Sequence, residues 1–212
     1  MKKVYAVLLT HNRLEYCKTA IESFLSQTYE NRKLIIINNG NATYFRQVQD
    51  FINFQGTDKI EHHFFLRKIN TTIGELRDYG LKKCSNADYV CTWDDDDFYS
   101  KTRIESEVFW LEKTNSDMVM FSNFTVKIRD RKSKVTNQLG LEPSLLFRYT
   151  NKVNYPFLLR GEDTFFINEL LKIGYKKYVI DNSHEDYTYN FHGENTCNYN
   201  HFVNIIKNHT KK

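Results

Sequence analysis

Four consecutive carboxylates, Asp94-Asp95-Asp96-Asp97, are the residues of this chain best suited to do chemistry. Side by side they repel one another, each neighbouring pair by on the order of 1 kcal/mol where water still screens them. A divalent cation removes that cost, and carboxylate oxygens suit Mg²⁺ or Mn²⁺. The competing explanation is a solvated acidic turn, the usual fate of a charge run. Three aromatics, Trp93 before the run and Phe98-Tyr99 after it, are unusual company for such a turn. A second pair, Glu162-Asp163, opens a predicted helix, where the helix dipole stabilises carboxylates and simple capping explains both. The same position could also present a base to an attacking hydroxyl. Thr10, His11, Asn12, Asn39, Arg77 and His192 complete the polar candidates. Each has an ordinary explanation as a cap, a turn residue, a helix surface charge or a satisfied histidine.

The elements that must position these side chains follow from the apolar pattern. Residues 3–9 form a short apolar run ended by polar residues, a buried strand. Asn12 offers an N-cap, and Glu15 three residues later completes a capping-box spacing. Leu14, Cys17, Ile21, Phe24 and Leu25 recur at helical spacing and predict an amphipathic helix over 14–27. A strand over 34–37 ends in the turn cluster at 38–41. A helix at 44–54, a strand at 60–66, a helix at 73–84 and a strand at 89–93 follow. This alternation implies parallel strands joined by right-handed crossovers, with ligands beyond the strands' carboxyl ends. The polar clusters at 10–13, 38–41 and 94–97 all fall at those ends. Later elements are a helix near 101–113, one strand over 118–128, a basic hairpin tip at 129–134 and a helix at about 162–173. Strands at 177–180 and 187–191 follow. Residues 140–160 are aromatic-rich and irregular, and the Lys-rich end after His209 should fray.

Taken in order, VYAVLLTHNR, LIIINNGN, GELRDYGL, WDDDDFY and RGEDTFF resemble the family 2 glycosyltransferases of the GT-A fold. Each motif is short, but five of them at family-like spacing cover the chain from Val4 to about Asn198. The resemblance implies a single α/β GT-A domain. Its central sheet would be Rossmann-like, mostly parallel and flanked by helices, with a smaller mixed second half. Residues 1–100 would be the nucleotide-sugar half, and 101–212 the acceptor and catalytic-base half. The implied activity is metal-dependent, inverting transfer of a hexosyl or N-acetylhexosaminyl group. The donor would be a nucleotide sugar, by preference a UDP-sugar, and the acceptor a hydroxyl of a glycan or glycoconjugate.

The resemblance also assigns residues. Thr10 and His11 stand where the family has a Thr-Tyr pair whose loop holds the base and ribose, with Asn12 alongside. Asn39 stands where an Asp usually bonds uracil; its amide both donates and accepts, so it can still pair with a pyrimidine edge. Arg77 matches the donor-side Arg. Asp94 and Asp96 match the outer residues of D-x-D. Asp96 is then the direct ligand of Mn²⁺ or Mg²⁺, Asp94 faces the ribose or donor sugar, and Asp95 lies between them on the donor side. Asp163 becomes the catalytic base, with Glu162 as its neighbour, and one such base favours inversion at the anomeric carbon. His192 lies in a His-Gly-x-Asn-Thr pattern whose His reaches the metal or the pyrophosphate.

Composition excludes several other classes. With 41% hydrophobic and 26% charged residues, 212 residues can build one ordinary core, so disorder and coiled coil are out. A net charge of +4 does not demand nucleic acid, and the basic stretch near 127–134 lacks an aromatic platform for bases. The four cysteines form no C-x-x-C pair and read as reduced thiols. No apolar run reaches the ~18–20 residues of a membrane span. These features favour a cytoplasmic protein and leave room for peripheral contact with a membrane. A nucleotidylyltransferase would need a glycine-bearing phosphate loop after the first strand, and residues 10–14 contain no Gly. A non-catalytic sugar- or nucleotide-binding module is the other alternative.

Overall fold

Val4–Thr10 (β1) is apolar at nearly every position because helices cover both of its faces. Val4, Ala6 and Leu8 enter one core, and Tyr5 and Val7 the other. The computed structural model describes residues 1–193, 195 and 197–209. The first half runs Leu14–Leu25 (α1), Arg32–Asn38 (β2), Ala42–Gln55 (α2), Ile60–Phe64 (β3), Ile73–Lys83 (α3) and Tyr89–Thr92 (β4). It continues through Phe98–Tyr99 (β5), Arg103–Lys113 (α4), Met118–Phe121 (β6), Asn123–Ile128 (β7) and Arg131–Thr136 (β8). Leu146–Arg148 (β9), Glu162–Lys172 (α5), Lys177–Ile180 (β10), Tyr187–Phe191 (β11) and Tyr199–His209 (α6) complete it.

Seven strands form a central sheet in the order β10-β6-β9-β4-β1-β2-β3, in which β9 alone runs against the others. A smaller mixed sheet has the order β5-β11-β7-β8. The mostly parallel α/β architecture with a smaller mixed part is therefore as expected. One face of the large sheet is covered by α1, α2 and α4 through Ile21, Phe24, Val48, Ile52, Ile104 and Leu111. The other face is covered by α3 and α5 through Leu76, Leu81, Phe166 and Leu170.

Several local expectations change. Asn12 does not cap α1. It adopts a left-handed φ of 52°, and its Oδ1 accepts the Asn41 backbone N–H at 3.0 Å, tying two loops together at the sheet edge. Arg13 takes the cap position without a side-chain capping bond, and Glu15 pairs with Lys18. The expected strand over 118–128 breaks at Ser122, whose N–H and Oγ both donate to the Ile180 carbonyl. The chain there passes from the large sheet to the small one, a switch that the unbroken apolar pattern hides. Only Arg129-Asp130 forms the basic tip, because Arg131–Thr136 pairs antiparallel with β7. Residues 140–160 supply β9 and a 3₁₀ turn at Glu142–Ser144. The helix α6, unmarked in the apolar pattern, packs on β7 and β8 and buries Phe202 completely. Residues 210–212, expected to fray, lie outside the described residues, as do Glu194 and Thr196. Cys17, Cys84 and Cys91 are buried free thiols, and Cys197 is half-buried. Among the described residues no helix is long and apolar enough to cross a membrane.

The aromatics around the aspartate run house a cation. Arg103 is fully buried, its guanidinium carbon 4.4 Å from the Tyr99 ring centroid, 5.0 Å from Trp93 and 5.5 Å from Tyr187. Its Nε donates to Glu107 Oε1 at 3.2 Å, and Glu107 is equally buried. Burial pushes the Glu107 carboxyl up to about 7 against the pull of Arg103. The same rings hold the loop above them. Tyr99 Oη accepts the Asp94 N–H at 2.8 Å, and Tyr187 Oη donates to Asp97 Oδ2 at 2.6 Å. Breaking one half of a buried pair costs about 3–5 kcal/mol, whereas replacing both halves with apolar groups is often near neutral. Arg103→Met should therefore lower the unfolding free energy by about 3–5 kcal/mol, and adding Glu107→Leu should restore most of it, as read by urea denaturation.

Candidate active site

β1, β2 and β4 end side by side, with Thr10 opposite Asn38 and Val7 opposite Thr92. The loops that leave them share one edge of the sheet, and those after β1 and β4 border a cavity of about 550 Å³. In the β4 loop burial alternates. Asp95 and Asp97 are buried at 3% and 4% exposure, while Asp94 and Asp96 are the more open pair. Asp95 and Asp96 form a turn beyond the end of β4, and the run leaves Asp94 and Asp96 the more accessible of its four carboxylates.

Each carboxylate has its own partners. Asp94 Oδ1 accepts from Arg77 Nη2 at 3.2 Å. Asp95 accepts from Thr10 Oγ1 at 2.9 Å and forms an ion pair with Arg13. Asp96 Oδ2 accepts from Arg13 Nη1 at 3.0 Å and Asn195 Nδ2 at 3.1 Å, and lies 2.9 Å from His192 Nε2. Asp97 accepts from Tyr187 Oη and, at 2.9 Å, from the Asn190 N–H. Burial raises the Asp94 and Asp97 carboxyls above their ordinary value and takes Asp95 to about 7 despite Arg13. Asp96 goes the other way. Burial pushes it up, but the His192 hydrogen bond and the Arg13 charge outweigh burial and hold it below the usual range. Asp96 is thus the carboxylate of the run whose partners outweigh burial.

The nucleotide-side candidates assemble next to it. Thr10 Oγ1 bonds Tyr44 Oη as well as Asp95. His11 Nδ1–H donates to the Asn39 carbonyl at 3.0 Å, and its Nε2 accepts from Arg67 Nη1 at 2.8 Å, a pattern that selects the Nδ1–H tautomer. Asn39 is buried at the same edge. Between them Gly40 has no room for a side chain, because a Cβ would strike the Tyr44 ring and Asn12 Oδ1.

Arg77 is buried rather than a helix surface charge. Its Nε donates to Glu162 Oε1 at 3.0 Å while Nη2 holds Asp94, so one guanidinium ties the aspartate loop to the start of α5. Burial opposes its charge, but Asp94 and Glu162 outweigh burial and hold its pKa well above the ordinary value. Burial likewise raises Glu162 against the pull of Arg77. Asp163, one residue on, is half-buried, borders the cavity and accepts the Thr164 N–H at 2.8 Å. The pair therefore divides, Glu162 toward Arg77 and Asp163 toward open space.

Arg13, Tyr44 and Asn195 were not singled out as site residues from sequence. For Arg13 a signal exists: four carboxylates closing one strand require cations at the same edge, and Arg13 follows the adjacent parallel strand. Residues 140–160 form part of the cavity wall. That segment supplies Leu141, Glu142, Pro143 and Leu159, but Tyr189 and Ile205 come from β11 and α6.

A divalent cation fits this donor set. Among the described residues no three His, Cys, Asp or Glu side chains form a closed metal cluster. Asp96 and His192 nevertheless meet at 2.9 Å, an ionised oxygen beside an imidazole nitrogen. Mg²⁺ and Mn²⁺ at phosphate-transfer sites take one or two protein ligands and complete their shell with substrate oxygens and water. Removing the cation that is native to the site has a measurable cost. Arg77→Met leaves Asp94 and Glu162 buried without their counter-charge, and should destabilise the fold by about 3–5 kcal/mol in thermal and chemical unfolding.

Comparison with known proteins places this geometry. The model of "Glycosyl transferase family 2" matches residues 5–168. An uncharacterized glycosyltransferase of Rickettsia bellii (strain RML369-C) is 30% identical over 138 residues, covering 65% of this chain and 19% of the relative. One of Rickettsia typhi (strain ATCC VR-144 / Wilmington) is 28% identical over 131 residues, 61% of this chain and 38% of the relative. The chain thus spans between about a fifth and two fifths of the length of these relatives. Among solved structures, S. aureus TarS 1–349 in complex with UDP-GlcNAc superposes with a TM-score of 0.75 at 15% identity, over 92% of this chain and 60% of that one. The mannosyltransferase PcManGT from Pyrobaculum calidifontis, in complex with GDP-Man and Mn²⁺, gives 0.68 at 9% identity, over 85% and 55%. These similarities carry the fold, the family match spans most of the chain, and the chain belongs to glycosyl transferase family 2.

Proposed function

We propose that this chain is the catalytic domain of a metal-dependent, inverting glycosyltransferase. It would move a hexosyl or N-acetylhexosaminyl group from a nucleotide sugar, a UDP-sugar by preference, to a hydroxyl of a glycan or glycoconjugate. The observation that carries the reading is one cavity lined by Asp94, Asp96 and Asp163 together. The UDP-GlcNAc complex of TarS and the GDP-Man and Mn²⁺ complex of PcManGT support the class of donor and the use of a metal.

In this reading residues 1–100 bind the donor and 101–212 bind the acceptor and supply the base. Thr10, His11, Asn12 and Asn39 hold the base and ribose at the ends of β1 and β2. Asp96 and His192 hold Mn²⁺ or Mg²⁺, which when bound supplies positive charge for the departing diphosphate. Asp94, fixed by Arg77, faces the ribose or donor sugar, and Asp95 braces the same loop from within. Asp163 accepts the proton of the acceptor hydroxyl as its oxygen attacks the anomeric carbon from the face opposite the leaving group. One displacement with one base inverts that carbon. Glu162, spent on Arg77, keeps α5 in place so that Asp163 reaches the acceptor. The domain would work in the cytoplasm, at or near a membrane surface.

A positioned general base contributes about 10²–10⁴-fold. Asp163→Asn should lower turnover of the donor, measured as transfer or donor hydrolysis, by about that factor while donor affinity stays within about twofold. Unchanged turnover would remove Asp163 from the mechanism. Chelation should abolish turnover and added Mn²⁺ or Mg²⁺ should restore it; full activity in metal-free buffer would remove the metal from the reading.

A further inference from the structure

Arg13 sits where a cation is expected to go. Its Nη1 donates to Asp96 Oδ2 at 3.0 Å and lies 3.3 Å from His192 Nε2, the two atoms that would hold the metal. Its Nη2 pairs with Asp95. Asp96 Oδ2 also receives Asn195 Nδ2 at 3.1 Å and faces His192 Nε2 at 2.9 Å, so three nitrogens crowd one oxygen. Oδ2 has two lone pairs and no further place to offer, so a metal on this carboxylate must displace a nitrogen from Oδ2 or take Oδ1 beside the same guanidinium charge. A divalent ion on the same two atoms would also meet the guanidinium at close range and repel it. Arg13 and the metal therefore compete for Asp96.

We propose that Arg13 is a resident counter-cation, a positioning residue that occupies Asp96 until a nucleoside diphosphate arrives and so makes metal binding wait for the nucleotide. The inference rests on the reading that Asp96 and His192 hold the metal. Arg13 is the partner able to move. Its side chain is 24% exposed and borders the cavity, whereas the Asp95 side chain is 1% exposed and anchored by Thr10. The guanidinium carbon lies 5.8 Å from the Tyr16 ring centroid, a platform on the solvent side of the ion pair. A diphosphate offers the two-pronged oxygen geometry that a guanidinium fits best. Drawing Arg13 to the diphosphate frees Asp96, and by linkage each ligand then tightens the other.

The test is Mn²⁺ binding, measured by electron paramagnetic resonance and calorimetry, with and without UDP and with no turnover involved. Arg13→Gln should bind Mn²⁺ alone about tenfold more tightly than the wild type, and UDP should then tighten Mn²⁺ by a correspondingly smaller factor. Arg13→Lys keeps the charge but loses the fork, and should fall between the two; it also carries the comparison if Arg13→Gln fails to fold. A fixed background charge would instead change Mn²⁺ affinity equally with and without UDP, and that result would overturn the proposal. So would equal Mn²⁺ affinity in wild type and Arg13→Gln. If Asp96→Asn abolishes that shared binding, the metal site stands and only the latch falls. If Asp96→Asn leaves Mn²⁺ binding untouched, the metal reading itself falls and takes the latch with it.

Discussion

Four adjacent negative charges at the end of one strand are the constraint to which the rest of this structure answers. No single partner neutralises them. Arg77 takes Asp94, Arg13 takes Asp95 and Asp96, and Asp97 is held by hydrogen bonds from Tyr187 and Asn190. The two arginines reach the run from opposite sides, one from the loop after β1 and one from α3. Beneath the run a third arginine, Arg103, is caged by Trp93, Tyr99 and Tyr187. Burial would protonate these carboxyls if nothing opposed it. Asp96 escapes because His192 and Arg13 both favour its ionised form.

The same contacts assemble the cavity. Because Arg77 bonds Asp94 and Glu162 together, the aspartate loop and the first turn of α5 cannot move independently. That places Asp163 at a fixed span from the D-x-D loop without touching it directly. Because Arg13 bonds Asp95 and Asp96, the β1 loop is tied to the β4 loop, and Asn12 ties it in turn to the β2 loop. Charge neutralisation and positioning are therefore one set of interactions. The side chains that offset the electrostatic cost are also those that set the geometry of the cavity.

Much of the first half was legible in the sequence. The parallel βα repeat, the shared sheet edge and the aspartate run closing β4 all rest on patterns a few residues long. The failures have specific causes. Asn12 looked like a cap because its type and spacing fit one, but a side-chain bond to Asn41, 29 residues away, outcompeted capping. The 118–128 run looked like one strand because both of its halves are apolar; the break at Ser122 depends on Ile180, 58 residues on. Glu162 and Asp163 are adjacent and chemically alike. Both border the cavity, and nothing local says which of them is tied to a cation; Arg77 takes Glu162.

The sequence by itself determined the order of elements in the first half, the sheet edge at which the polar clusters gather and the residue types that meet there, because these follow from side-chain periodicity and turn chemistry within short windows. Tertiary structure alone decided which cation answers which carboxylate. The pairs of Asp95 and Asp96 join residues 82 to 96 apart, and Arg77 bridges Asp94, 17 residues on, to Glu162, 85 residues on; only the packed sheet brings these charges within hydrogen-bond reach. At that range the energy depends on distance and burial, and neither is written in the spacing of residues along the chain.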